Sequence, residues 1–375
     1  MKVLHVITSL GDGGAEAVLY RMCKFDKSNH HIVVSLKNEQ KYVAMLKKIG
    51  INVYTLNFSN SRINIKGAIK LYRLIKKIEP DVVQTWLDHA DLVGGIIAKL
   101  AGKKNIVWGV HHSELKRGES KFSTIFISRI NALVSYLIPR KIIYCADESR
   151  KAQEKNGYKK SKGITVFNGY DCKGFIPNNV FASSFRKELS IENDSFLIGY
   201  VGRYDPQKDL GNLMDAFSIL YKKDLKFQAS IVGTKLDTKN SNLVSSIKTN
   251  NLCNNVHLLG RRDDIESVMN GIDLFVLSSV SEAFPNVINE AMLCGTPCVA
   301  TDVGDSSLIV GKTGWIVRPK DPIALADAII KAYIEKSSNS SSWMQRKAAC
   351  RKRIEDNFSI KKMIKNYEKV WSSTH

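Results

Sequence analysis

Residues 278–305 read SSVSEAFPNVINEAMLCGTPCVATDVGD, and this stretch leaves few folds open. A strand is expected at 273–278, ending in a polar loop. Pro285-Asn286 then opens an apolar helical pattern that continues to about Cys294, and Gly295-Thr296-Pro297 stops it ahead of a second short run at 297–301. Proline in a first helical turn is preorganised, and glycine followed by proline is a strong stop. Strand, loop, helix, turn and strand in one segment is a parallel crossover, which an α/β sheet accommodates. The loop presents the N–H groups of Asn286, Val287 and Ile288 at a helix N-terminus, a setting that favours a diphosphate. Glu290 lies about one turn inside the helix, where a carboxylate accepts hydrogen bonds from two ribose hydroxyls. Glu282 precedes the helix, where the sugar end of a nucleotide sugar would lie. The plain alternative is a buried crossover with two surface carboxylates.

The same alternation runs through the rest of the chain. Strands are expected at 3–7, 31–36, 52–56, 81–85, 105–110, 141–146 and 164–167, with helices at 15–23, 42–49, 65–78, 90–100 and 122–137. A turn at Phe167-Asn-Gly-Tyr-Asp171 precedes a second alternating set. Its strands are expected at 196–201, 228–232 and 256–259, and its helices at 210–220, 243–249, 265–270 and 322–335. Basic helical segments at 342–353 and 359–371 close the chain. Strands alternating with helices give doubly wound parallel sheets, and 375 residues suffice for two domains. The boundary is expected after the turn, giving domains 1–171 and 172–357 and a last helix in 358–375.

Several loops at predicted strand ends carry polar groups suited to a nucleotide. Arg203 and Lys208 follow the strand 196–201, and ligands of open α/β sheets bind at the carboxyl ends of strands. Two cations there would hold two phosphates; a solvated loop is the alternative. Asp12-Gly13-Gly14-Ala15-Glu16 follows the first strand. It is not G-x-G-x-x-G, because Glu16 stands where the third glycine would be, and no acid closes the second strand at Leu36, which argues against a dinucleotide dehydrogenase. Gly13 and Gly14 let the backbone approach a diphosphate or an acceptor; a simple tight turn is the other reading. His111 and His112 end the strand 105–110, and Asp88 opens the helix that follows 81–85. Asp88 could help build an acceptor pocket or simply favour a helix N-terminus. No Asp-x-Asp occurs and no His/Cys cluster has metal-ligand spacing, so neither metal nor cofactor is expected.

The segment 278–305 resembles the signature of the retaining glycosyltransferases of family 4, with GT-B fold, which include bacterial lipopolysaccharide, O-antigen and capsule transferases. The paired glutamates, E-A-F-P and G-T-P-C-V-A-T match, as do G-R-x(4)-K at 202–208, G-G-A-E at 13–16 and His112-Ser113. The resemblance implies two Rossmann-like domains facing each other across a cleft. The N-terminal one would bind the acceptor, the C-terminal one the nucleotide sugar, and the last helix would cross back to the N-terminal domain. It implies Arg203 and Lys208 as diphosphate ligands, and His112 (or its neighbour His111) at the donor sugar. Gly233 and Arg262 would stand in loops framing base and ribose. The implied reaction is metal-independent transfer of a hexose or N-acetylhexosamine, from a donor expected to be UDP-linked, with retention and an α-linked product. Donor hydroxyls would be oriented by Glu282. The acceptor would be a glycan or an undecaprenyl-diphosphate-linked saccharide. A sugar-nucleotide epimerase shares the GT-B architecture, but the E-A-F-P signature argues against it.

Charge adds the partner. Residues 1–165 carry 29 Lys+Arg against 13 Asp+Glu, and the remainder 27 against 23. A basic domain seeks a polyanion or an anionic surface. Lys66, Lys70, Arg73, Lys76 and Lys77 surround an apolar seam in 65–78, and Lys116, Arg117 and Lys121 precede the helix 122–137. Such segments suit peripheral contact with an anionic membrane, although a core-packed helix with a solvated face explains each alone. A nucleic-acid binder would need a basic surface interleaved with aromatics or a helix-turn-helix, and neither is present. Seven scattered cysteines without C-x-x-C spacing, no run of eighteen apolar residues and no leader-like start lead to the expectation of a cytoplasmic protein, peripheral at the inner face of the membrane.

Overall fold

The computed structural model describes residues 1–38, 40–58, 65–112, 122–192 and 194–373. Ser113, Lys116, Arg117 and Lys121 lie outside them. The chain forms two compact units, Met1–Gly169 with Ile360–His375, and Tyr170–Ser359.

In the first unit the elements run β1 (Lys2–Ile7), α1 (Gly14–Phe25), β2 (His30–Ser35), α2 (Lys41–Lys48), β3 (Asn52–Thr55), α3 (Ile65–Ile78) and β4 (Val82–Trp86). They continue with α4 (Asp88–Leu100), β5 (Ile106–Val110), α5 (Phe122–Val134), β6 (Lys141–Tyr144), α6 (Asp147–Lys155) and β7 (Gly163–Thr165). All seven strands are parallel, in the order β3-β2-β1-β4-β5-β6-β7. Helices cover both faces of the sheet. Its inner strands are therefore near-continuous apolar runs, and every residue of β4 and β5 is buried. Leu71 and Ile75 of α3, Ile97 and Ala98 of α4 and Ala132 of α5 pack on one face, while Val18, Leu19 and Met22 of α1 cover the other.

The second unit holds α7 (Asn179–Glu188), β8 (Phe196–Val201), α8 (Leu210–Lys222), β9 (Phe227–Val232), α9 (Ser241–Thr249), β10 (Val256–Gly260), α10 (Ile265–Gly271) and β11 (Leu274–Leu277). It ends with α11 (Asn286–Leu293), β12 (Cys298–Thr301), α12 (Ser306–Val310), β13 (Trp315–Val317), α13 (Pro322–Ser338) and α14 (Ser340–Asn357). Its six strands are again parallel, ordered β10-β9-β8-β11-β12-β13. Local chemistry sets the helix starts. Pro322 occupies the first turn of α13 and the Asp321 carboxylate accepts from the Ala324 N–H at 2.9 Å.

The terminal helix α15 (Ile360–Ser372) belongs to the first unit. Ile360, Met363, Tyr367, Val370 and Trp371 form its buried stripe, spaced as one helical face. The Trp371 indole N–H donates to Gln84 Oε1 at 3.0 Å, and Asn105 Nδ2 donates to the Trp371 carbonyl at 3.2 Å. Each large apolar side chain buried there contributes about 1.5–3 kcal/mol. The sequence reading did not anticipate α6, α7 or β13. Helix α7 exposes most of its length, α6 buries only Ser149 and Gln153, and β13 has only three residues.

Candidate active site

In each sheet the strand order reverses beside the first strand of the unit, between β1 and β4 and between β8 and β11. The loops leaving those strands part at such a point and leave room for a ligand at their carboxyl ends.

In the second unit the loop after β8 carries Arg203 and Lys208, and the loop after β11 carries Glu282. The structure joins the two loops. Val280 N–H donates to the Gln207 carbonyl at 2.9 Å and Ser278 Oγ to the Lys208 carbonyl at 2.8 Å. Lys208 Nζ lies 2.5 Å from Glu282 Oε1, which also accepts from Ser279 Oγ at 2.7 Å. This pair is largely buried. Arg203 by contrast is mostly exposed, with Nε 2.9 Å from Asp205 Oδ2. Burial works against the charge of Asp205, but the Gln207 N–H, Arg203 and Lys208 outweigh it and hold the carboxyl below its usual range.

Helix α11 begins beside that pair in sequence. Pro285 is its N-cap and supplies no side-chain cap, and the N–H groups of Asn286, Val287 and Ile288 form the first turn. The Asn286 side chain faces elsewhere, accepting from the Tyr170 hydroxyl. Glu290 is partly buried in the second turn. Gly233 follows β9 with φ +144°, and a Cβ there would stand 1.5 Å from the Gly202 carbonyl oxygen. Arg262 is engaged by Glu188 of α7 at 2.5 and 3.0 Å and by Asp264 at 2.6 and 2.9 Å, over the Phe185 ring. Its expected place at the base and ribose took no account of α7.

In the first unit Gly13 is the N-cap of α1 and Gly14 its first residue. The Glu16 side chain folds back into the space that a side chain at Gly13 would take, its Oε2 2.3 Å from where that Cβ would be. Ser9 Oγ donates to Glu16 Oε1 at 3.1 Å, and burial raises the Glu16 carboxyl. Glu16 therefore organises the loop from within.

The two histidines differ sharply. His111 is buried, stacks on Trp86 with ring centres 4.8 Å apart, and is pushed down to about 3 by burial, so it is a neutral core residue. His112 is partly exposed, and its Nε2 lies 3.0 Å from both carboxylate oxygens of Asp88. Asp88 starts α4 directly after Leu87, whose φ of 73° is costly for a leucine. Ser149 Oγ of α6 donates to the His112 carbonyl at 2.6 Å, and Gln153 Nε2 lies 3.5 Å from His112 Nδ1. Neither α6 residue was foreseen.

Among the described residues, His5, Cys23 and His31 bring three metal-type side chains within 4.8 Å of one another. Their hydrogen bonds do not suit an ion. The Trp86 indole can only donate, so His5 Nδ1 accepts at 3.1 Å and the His5 proton sits on Nε2. That proton points at His31 Nδ1, 2.8 Å away, and His31 Nε2 in turn faces Asp26 Oδ2 at 3.0 Å. The chain satisfies every ring nitrogen with neutral imidazoles and leaves none to ligate a metal.

Comparison with known proteins supplies the family. Residues 12–173 match the family described as Glycosyltransferase Family 4, and residues 195–335 that described as Glycosyl transferases group 1. An Escherichia coli relative, UDP-Gal:alpha-D-GlcNAc-diphosphoundecaprenol alpha-1,3-galactosyltransferase, is 27% identical over 80% of this chain and 77% of its own length. The Campylobacter jejuni N,N'-diacetylbacillosaminyl-diphospho-undecaprenol alpha-1,3-N-acetylgalactosaminyltransferase is 26% identical over 78% of this chain and 79% of its own. Among solved structures, Anabaena HepE in complex with UDP superposes with a TM-score of 0.86 over 100% of both chains at 24% identity, a likeness of fold. With both halves matched and two Rossmann-like domains of GT-B kind in place, the chain belongs to the family 4 glycosyltransferases.

Proposed function

We propose that this glycosyltransferase moves a hexose or N-acetylhexosamine from a UDP-linked donor to an undecaprenyl-diphosphate-linked saccharide, with retention, in cell-surface polysaccharide synthesis. The observation that carries the proposal is the Lys208–Glu282 pair at the strand-order reversal of the second unit, followed in sequence by the N-terminus of α11. The second unit is the donor domain in this reading, with Lys208 and Arg203 at the diphosphate, the first N–H groups of α11 beside it, and Glu290 on the ribose. Glu282 orients sugar hydroxyls. The first unit serves the acceptor, and His112 is the histidine of the donor sugar, because His111 is locked in the core.

The reaction loads negative charge onto the β-phosphate as the glycosidic bond breaks. Fixed cations and helix N–H groups aimed there stabilise that charge without reorganising. With them in place no divalent cation is required. Retention follows a front-face path in which the leaving phosphate takes the acceptor proton. The α-linkages named for the two relatives are what retention gives from an α-linked donor. The test is release of UDP from a panel of nucleotide sugars, with EDTA present and with a lipid-linked saccharide extract added. Release from one donor, dependent on the extract and unaffected by EDTA, is expected; loss of turnover in EDTA that only a divalent metal restores would overturn metal independence.

No described helix is long and apolar enough to cross a membrane. The outer face of α3, α4 and α5 nevertheless exposes Ile65, Ile69, Leu100, Phe122, Phe126 and Leu133. Lysines and Arg73 stand among them, and helices α3 and α4, and α4 and α5, pack side by side. Apolar tips in a basic field suit the headgroup layer of an anionic bilayer at the cytoplasmic face, where each lysine contributes about 1 kcal/mol. Phe126→Asp combined with Leu133→Asp is expected to reduce cosedimentation with phosphatidylglycerol vesicles at high salt, when the lysines are screened. Unchanged vesicle binding would exclude this face.

A further inference from the structure

The tautomer of a histidine is set by the hydrogen bonds of its two ring nitrogens, and its charge by the groups around them. The ring of His112 is held from two helices. Asp88 is 5% exposed and offers both oxygens to Nε2 at 3.0 Å. A carboxylate only accepts, so Nε2 carries a proton. Asn131 Nδ2 fixes Asp88 through its backbone carbonyl at 2.9 Å. On the other side stands Gln153, fully buried on α6, its amide nitrogen 3.5 Å from Nδ1. That is at the long end for a hydrogen bond.

The far end of Gln153 faces a hydroxyl, Ser128 Oγ, 3.4 Å from Oε1. A hydroxyl donates or accepts with equal ease. The amide can therefore turn over. In one setting its NH2 donates to an unprotonated Nδ1; in the other its oxygen accepts from an Nδ1–H, and the NH2 donates to Ser128. One buried amide thus serves both the neutral ring and the imidazolium.

We infer that Gln153 is a positioning residue that, with Asp88, sets the tautomer and charge of His112. The inference rests on the reading of His112 as the histidine of the donor sugar. Four other titratable groups lie around this histidine and Asp88. Burial raises the Asp91 carboxyl well above its usual range, against the pull of the Thr85 hydroxyl that donates to its Oδ1 at 2.5 Å, and keeps His111 neutral. The Tyr144 and Tyr158 phenols are raised by burial and stay neutral. Asp88 at Nε2 and the residue at 153 at Nδ1 are thus two groups placed to bias the charge of the ring.

The experiment compares Gln153→Glu and Gln153→Met with the wild-type full chain. It follows the His112 ring by NMR with 15N-labelled histidine, and kcat/KM against pH. A carboxylate at Nδ1 favours the imidazolium, so Gln153→Glu is expected to raise the His112 midpoint by about one to two pH units. The limb of the pH profile that follows this group moves up with it. Gln153→Met keeps the volume but has no donor. Its Nδ1 signal is expected to shift, and its kcat to fall about three- to tenfold with the donor KM unchanged. It reads the same point should the buried glutamate prevent folding. A His112 titration and pH profile unchanged in both variants would overturn the inference. The NMR arm needs no turnover: a shifted ring with no donor turnover in any protein would sink the transferase assignment and leave the clamp standing, whereas a shifted ring with an unmoved pH profile would remove Gln153 from catalysis.

Discussion

Lys208→Ala is expected to lower kcat about a hundred- to a thousand-fold, the usual cost of removing a fixed charge from a developing anion. The geometry makes a sharper statement possible. Lys208 and Glu282 form a largely buried pair at 2.5 Å, and Ser279 leaves Glu282 one further partner. Removing the lysine alone leaves a carboxylate without its counter-charge in a poorly hydrated position. That carboxylate would repel an incoming diphosphate, so Lys208→Ala should raise the donor KM as well as lower kcat.

The double variant Lys208→Ala with Glu282→Ala separates the two effects. It should recover the part of the KM rise that the stranded charge causes, but not the part owed to the lost contacts of Lys208 with the diphosphate and of Glu282 with the sugar hydroxyls, and none of kcat, because the cation is still absent. A coupling of this kind is read from a double-mutant cycle. Steady-state kinetics on the four proteins decide the matter, with thermal unfolding to confirm that each is folded. Near wild-type kcat in Lys208→Ala would remove this residue from the reaction. A KM in the double variant equal to or above that of Lys208→Ala would show that the hold of Glu282 on the sugar outweighs the repulsion of its stranded charge.

Much of this arrangement was legible in the sequence, and its gaps have physical causes. The alternation of apolar runs and helical patterns marks the strands of a doubly wound sheet, because inner parallel strands must be apolar on both faces. Pro285 and Gly295 mark the ends of α11 for equally local reasons. Helix α6 was missed because its buried residues are Ser149 and Gln153, so no apolar stripe betrays it. Those two residues hold His112, and the environment of the histidine went unseen with them. Helix α7 buries only Phe185 and Arg186, and without it Arg262 looked available. The choice between His111 and His112 was open because the strand ends at Val110, beyond which the in–out alternation of a strand no longer applies. The Lys208–Glu282 pair joins residues 74 positions apart, which no local pattern reports.

Gly233→Ala is the most damaging single methyl group that the second unit offers within its donor region. A Cβ at this position would sit 1.5 Å from the Gly202 carbonyl oxygen, and φ is +144°, a region essentially closed to side chains. Neither backbone is free to yield. Gly202 N–H donates to the Val232 carbonyl at 2.9 Å and Gly233 N–H to the Gly260 carbonyl at 2.8 Å, so relief would part the ends of β8, β9 and β10 together. The expected cost is about 4 kcal/mol or more, a large share of what a domain has. The Lys208 loop leaves the same strand ends, so donor binding should fall with stability. Gly211→Ala is the contrast. It lies in the first turn of α8, where the added Cβ meets only Asp209 Oδ1 at 3.8 Å, and alanine suits a helix better than glycine. Thermal unfolding with proteolysis of each unit should show the second unit of Gly233→Ala melting far below wild type, while Gly211→Ala melts at or slightly above it. Equal melting of the two variants would mean that the β8 and β9 loops part readily, and the rigid placement of Lys208 on which the catalytic argument depends would be lost.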